Sequence, residues 1–124
     1  VKFKIVMGEP AMLDLWNNLL KKALEKSLDT EERVFFDKWS KAVELLSNNP
    51  RHPGLKSHEV DDLSRKYGIK IWQSYLENRT SGARRMFWAF GPEKAQITIL
   101  GIEYHPNTSK KNAYKQVKLD RFPG

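Results

Sequence analysis

The chain has 124 residues, 40% hydrophobic and 11% aromatic, which excludes a disordered polypeptide and supplies one domain with a buried core. It contains no cysteine, so disulfides and thiolate metal sites are excluded and a cytoplasmic location fits best. The net charge of +7 is unevenly placed: residues 1–49 hold eight basic and eight acidic residues, whereas 50–124 hold fourteen basic, seven acidic and all three histidines. A solvated surface needs no such segregation, but a face for a polyanion does.

Val1–Met7 alternates Phe3 and Ile5 against Lys2 and Lys4, which predicts a strand with one wet face instead of a signal-peptide core. No apolar run along the chain reaches the length of a membrane span. After the turn at Gly8-Glu9-Pro10, residues 11–28 carry Met12, Trp16, Leu19 and Ala23 at helical spacing, widened by Leu13, Leu20, Leu24 and Leu28. Asp29 followed by Thr30, Glu31 and Glu32 has the form of an N-cap with acids in the first turn. The second helix places Phe35, Trp39, Ala42 and Leu46 on one side and stops at Asn48-Asn49-Pro50. So short a connection predicts an antiparallel helical hairpin.

Residues 50–55 read as irregular, and Ser57–Tyr67 as a short helix ended by a left-handed Gly68. Three strands follow: Ile69–Leu76, Ala83–Phe90 and Ala95–Glu103, with a polar loop at Glu77–Gly82 and a tight turn at Gly91-Pro92-Glu93-Lys94. Beyond Tyr104-His105-Pro106 and the loop at Asn107–Ser109, the basic stretch Lys110–Leu119 reads as a weak helix or an extended tail, with Tyr114 and Val117 as its anchors. The whole predicts one α+β domain of two layers, an N-terminal strand and helical hairpin packed on one face of an antiparallel sheet whose other face is free.

This order and several residue runs resemble the RelE/ParE superfamily of bacterial toxins. The run Asn49-Pro50-Arg51-His52-Pro53-Gly54-Leu55-Lys56 is similar to the family's connection after the hairpin. Ser81-Gly82-Ala83-Arg84-Arg85-Met86-Phe87-Trp88 is similar to its arginine-bearing strand, with Arg85 at the arginine. Ile97–Ile102 matches the last apolar strand, and Tyr104-His105-Pro106 falls where members carry Arg or His. The resemblance implies a ribonuclease that cuts ribosome-bound messenger RNA without a metal or other cofactor, or alternatively a non-catalytic inhibitor of DNA gyrase. It also implies a cognate antitoxin; a basic face with a free strand edge suits an acidic partner that folds on binding.

Metal-free RNA cleavage requires removal of the 2′-hydroxyl proton, stabilisation of the charged phosphorane, and protonation of the leaving oxygen. Arg85 suits the second task, because a guanidinium holds phosphate oxygens with a planar fork and keeps its charge. Strand alternation puts Arg85, Phe87 and Ala89 on one face, and Arg84, Met86, Trp88 and Phe90 on the more apolar face that packs on the helices. Arg85 is thereby predicted to point to the open face, with Arg84 at the rim of the packed one. His105 is the candidate acid, and Tyr104 a candidate for base stacking or proton donation. Lys56, His58, Arg79, Arg84, Lys110 and Lys111 are candidate phosphate contacts.

The sequence departs from the best-known RelE pattern at Gln73 and Tyr75, roughly where that pattern has lysines. The general base is thus left to Glu77 or Glu103. Each of these residues also has an ordinary structural reading, as a surface arginine, a turn histidine or a rim carboxylate, and an RNA-binding module without catalysis fits the same features. His52, His58 and His105 match no zinc-site spacing.

Overall fold

A computed structural model describes residues 2–77, 83–104 and 113–124. In chain order it contains β1 (Lys4–Met7), α1 (Ala11–Leu24), α2 (Thr30–Asn48), a 3-10 turn (Pro53–Leu55), β2 (His58–Glu59), α3 (Asp61–Tyr67), β3 (Trp72–Tyr75), β4 (Arg84–Phe90) and β5 (Gln96–Tyr104). The fold is α+β, and its strands form one five-stranded sheet in the order β1-β5-β4-β3-β2. β2 to β5 pair antiparallel, whereas β1 runs parallel to β5, with Lys4 opposite Gln96 and Met7 opposite Ile99. The sheet is therefore mixed and not antiparallel throughout. Alternation marks β1 as a strand but carries no information on the direction of its partner.

Local signals account for the helical hairpin. α1 ends at Leu24 because Lys26 turns left-handed (φ 56°), and Ser27 N–H then bonds back to the Lys22 carbonyl at 2.9 Å. That closure stops the helix short of the predicted Leu28 and leaves Leu24 exposed. It also frees Asp29 to cap α2: the Asp29 carboxylate accepts from Glu32 N–H at 2.8 Å, and Glu32 returns the bond to Asp29 N–H at 3.1 Å. A Lys22–Glu32 ion pair at 2.7 Å ties the two helices together.

No local side chain caps α1, which starts after Pro10. Its cap comes from the far end of the chain. Asp120 accepts from the backbone N–H groups of Met12 at 2.6 Å and Ala11 at 3.3 Å. Beside it, Glu9 and Arg121 pair through their backbones.

The helical hairpin covers the face bearing Met86, Trp88, Ile97 and Ile99, which join Trp39 and Leu46 in the larger core. The opposite face, expected to be free, carries a second core. Here Phe87, Ala89 and Leu100 pack with Val60, Leu63 and Ile71 and with Val117 of the tail. Tyr114 and Val117 do anchor that tail, which continues without a helix: Leu119 N–H donates to Tyr67 Oη at 2.9 Å, and Asp120 N–H to the Leu100 carbonyl at 2.8 Å. The register of β4 against β5 shifts by one residue between Phe87 and Trp88, so that Leu100 and Gly101 together oppose Phe87. Gly101 leaves room for the tail, since a Cβ there would lie 2.8 Å from Leu119 Cδ2. No helix among the described residues is long and apolar enough to cross a membrane.

Candidate nucleic-acid interface

The β3–β4 pairing places Gln73 opposite Phe87 and Tyr75 opposite Arg85, while β2 brings His58 opposite Gln73. Period two therefore sends Gln73, Tyr75 and Arg85 to the face away from the helical hairpin. The tail adds Tyr114, whose hydroxyl donates to Gln73 Oε1 at 3.3 Å. His58 Nε2 lies 3.4 Å from Gln73 Nε2, and Lys56 Nζ sits over the Tyr75 ring at 5.4 Å. Six polar or aromatic side chains from four segments thus converge on one patch of sheet.

Arg85 is the centre of this patch, yet it is only 5% exposed, so the expectation of an open position fails. The second core and the tail cover the face on which it lies. Its guanidinium stacks on Tyr75, with Cζ 3.7 Å from the ring centroid. Nη1 donates to the carbonyls of Glu77 at 3.1 Å and Arg84 at 3.3 Å, while Nε is buried without an acceptor among the described residues. No carboxylate forms an ion pair with it, including its cross-strand neighbour Glu103. Nor does the sequence of residues 78–82 or 105–112 contain any Asp or Glu. A buried cation without a carboxylate is rare in a stable fold, because desolvation disfavours the charge unless something compensates it.

Arg84, the adjacent residue, has the opposite environment. It turns to the helical face as predicted, stacks over Phe35 with Cζ 4.2 Å from the centroid, and grips Glu77 with Nε at 2.7 Å and Nη2 at 3.2 Å. The hydrogen bond from Arg84 holds the Glu77 carboxyl below its ordinary value, and Glu77 in turn raises the Arg84 guanidinium. Glu77 is consequently a poor proton acceptor, and Arg84 has few donors left for a phosphate. Burial pushes the Tyr114 phenol above its usual value, with the nearby Asp62 acting in the same direction. It stays protonated at neutral pH.

The other candidates are distributed as follows. Tyr104 is 67% exposed at the end of β5, opposite Arg84 and so on the face away from Arg85. Glu103 lies on the Arg85 face, in register with it. Lys56 and His58 border the patch on exposed positions. His105, Arg79, Lys110 and Lys111 lie outside the described residues. In the sequence, Gln73, 1% exposed, and Tyr75 stand out only as absent lysines, and Tyr114 only as an anchor. The antiparallel hairpin register was the signal that could have placed Gln73 and Tyr75 beside Arg85. Among the described residues, no three His, Asp or Glu side chains come together as a metal site. No family model, curated protein or solved structure matches the chain.

Proposed function

We propose that this protein is a RelE/ParE-type toxin of a bacterial toxin–antitoxin pair, acting in the cytoplasm as a metal-independent endoribonuclease on ribosome-bound messenger RNA. The observation that carries this reading is the buried Arg85 guanidinium, stacked on Tyr75 and lacking any carboxylate. A phosphate that displaces the cover over this 5%-exposed side chain supplies the missing negative charge and accepts from Nε, the donor without an acceptor among the described residues. As charge builds on the phosphorane, Arg85 stabilises it. Glu103, on the same face, is the base for the 2′-hydroxyl, now that Glu77 is engaged by Arg84. His105 protonates the leaving oxygen. Lys56 and His58 steer the strand, and Tyr75, Gln73 and Tyr114 shape the floor. An acidic antitoxin that folds on the basic surface keeps the toxin silent.

The test is induced expression in a bacterial host with pulse-labelled protein and DNA synthesis, comparing wild type with Arg85→Ala. Collapse of protein synthesis that Arg85→Ala relieves supports the ribonuclease; an equally toxic Arg85→Ala removes it. A second reading also has an observation behind it. β3 supplies Gln73 and Tyr75 in place of basic side chains, which suits binding without cleavage. A protein that stops DNA synthesis first would be a gyrase inhibitor, and one that binds RNA and leaves it whole would be a non-catalytic module.

A further inference from the structure

On the other side of the sheet, beside the C-terminal end of α2, lies a cavity of about 460 Å³. Its walls are aromatic: Phe3, Trp72, Trp88 and Phe90, with Asn49 and Arg51 among the polar residues that line it. Volume and lining fall within the range of small-ligand sites. The walls are held in place. Trp72 and Trp88 stack at 5.7 Å and 16°, and Trp88 Nε1 donates to Ser74 Oγ at 2.8 Å. Phe3 is pinned to the end of α2, its N–H donating to the Ser47 carbonyl at 2.9 Å and its carbonyl accepting from Ser47 Oγ at 2.7 Å. Arg51 N–H donates to Asn49 Oδ1 at 3.0 Å, which sets the turn that presents the arginine at this cavity.

Phe90 packs against Phe3 at 5.7 Å and sits edge-to-face with Trp88 at 5.2 Å and Trp72 at 6.3 Å, yet keeps 48% exposure at this cavity in a chain of net charge +7. Among the described residues, no acidic side chain lines the cavity, and Arg51 is the charged one that does. The Arg51 guanidinium repels a cation here, and together with the aromatic walls it suits a flat ring attached to an anion. We propose that this cavity receives a base of a single-stranded nucleic acid, stacked on the exposed ring of Phe90 with its edge toward Trp72, and with Arg51 holding the adjoining phosphate. The ligand class rests on the nucleic-acid reading above, but the cavity takes no part in cleavage. The route between the two sites is short along the chain. Lys56 stands over Tyr75 on the Arg85 face, while the next residue, Ser57, lines the cavity and bonds to Ser74 on the other. A strand bound at Arg85 can therefore pass the β2 edge and place a neighbouring base in the cavity.

The probe is a short single-stranded RNA methylated at every 2′-hydroxyl, which cannot be cleaved by 2′-attack, titrated against the full chain by tryptophan fluorescence. Phe90→Ala and Arg51→Glu alter exposed side chains; because Phe90 also packs on Phe3, Trp72 and Trp88, Phe90→Leu, which keeps apolar packing without an aromatic face, is run beside Phe90→Ala. Each is expected to weaken binding about tenfold, the scale of one lost base stack or phosphate contact, and to do so equally in an Arg85→Ala background. Wild-type affinity in every variant, or no binding by the wild type, overturns the inference. So does weakening by Arg51→Glu alone, which would reduce the site to a phosphate contact. A tryptophan-containing peptide that binds wild type but not Phe90→Ala, with RNA unaffected by the substitution, would assign the cavity to a protein partner instead. Unmethylated RNA run in parallel separates the two proposals. Cavity-dependent binding without cleavage sinks the ribonuclease alone, and cleavage with cavity-independent binding sinks only this inference.

Discussion

Arg84 and Arg85, adjacent in β4, end on opposite faces of the sheet with opposite electrostatic fates: Arg84 is bidentate to Glu77, and Arg85 rests on Tyr75 with no carboxylate. The first arrangement ties β4 to the segment that leaves β3. The second is costly for the fold and useful for an anion.

Replacing Arg85 should therefore separate stability from function. Arg85→Met removes a buried charge and keeps an apolar side chain, so its urea midpoint should equal or exceed that of wild type. RNA cleavage should fall by at least about a hundredfold, the scale of one lost charge-stabilising donor group. Arg85→Lys should not restore it, because an ammonium reproduces neither the fork nor the stack on Tyr75. A marked drop in the urea midpoint of Arg85→Met would point to a structural arginine.

The Glu77–Arg84 pair predicts a specific acid response. The folded state lowers the Glu77 carboxyl, so the unfolded chain takes up its proton first as pH falls. The pair's contribution is complete above the unfolded value of about 4.3 and is lost as pH drops through the lower folded value. Glu77→Gln should cost about 1–3 kcal/mol at neutral pH, and its stability should decline less steeply in acid. Urea unfolding at a series of pH values measures both.

The junction of Gly8, Asp120 and the start of α1 is a second place where single atoms matter. Asp120→Ala removes the cap from Met12 and Ala11 and should cost about 1 kcal/mol. In Gly8→Ala the new Cβ would fall 2.8 Å from Asp120 Cβ and 2.9 Å from the Ile99 carbonyl oxygen, a backbone atom that cannot swing aside. We expect a loss of about 1–3 kcal/mol. Because both changes act on one junction, the double variant should lose less than the sum, which a double-mutant cycle tests.

Tyr114→Phe should cost about 0.5–1.5 kcal/mol, the usual range for one hydrogen bond, here to Gln73. Ultraviolet titration should also show one phenol ionising above the ordinary tyrosine range, a transition absent from the variant. An unchanged titration would mean that Tyr114 is not held in the patch.

Chemistry carried by near neighbours in the chain was legible from sequence alone. The Asp29 cap, the apolar stripe of α2, the left-handed Gly68 and the split of β4 into two faces all depend on residues a few positions apart. Tertiary structure decided what depends on which segments meet. Parallel pairing of β1, burial of Arg85 against Tyr75, and a cap on α1 supplied by Asp120 have no local signal. Tyr104 shows the limit most clearly. Plain alternation from Ile97 and Ile99 puts Tyr104 on the Arg85 face and Glu103 on the helical one. The extra residue at Leu100-Gly101 reverses both, because a bulge inserts one position into a period of two. That single shift sets a carboxylate, and not a phenol, beside the buried arginine.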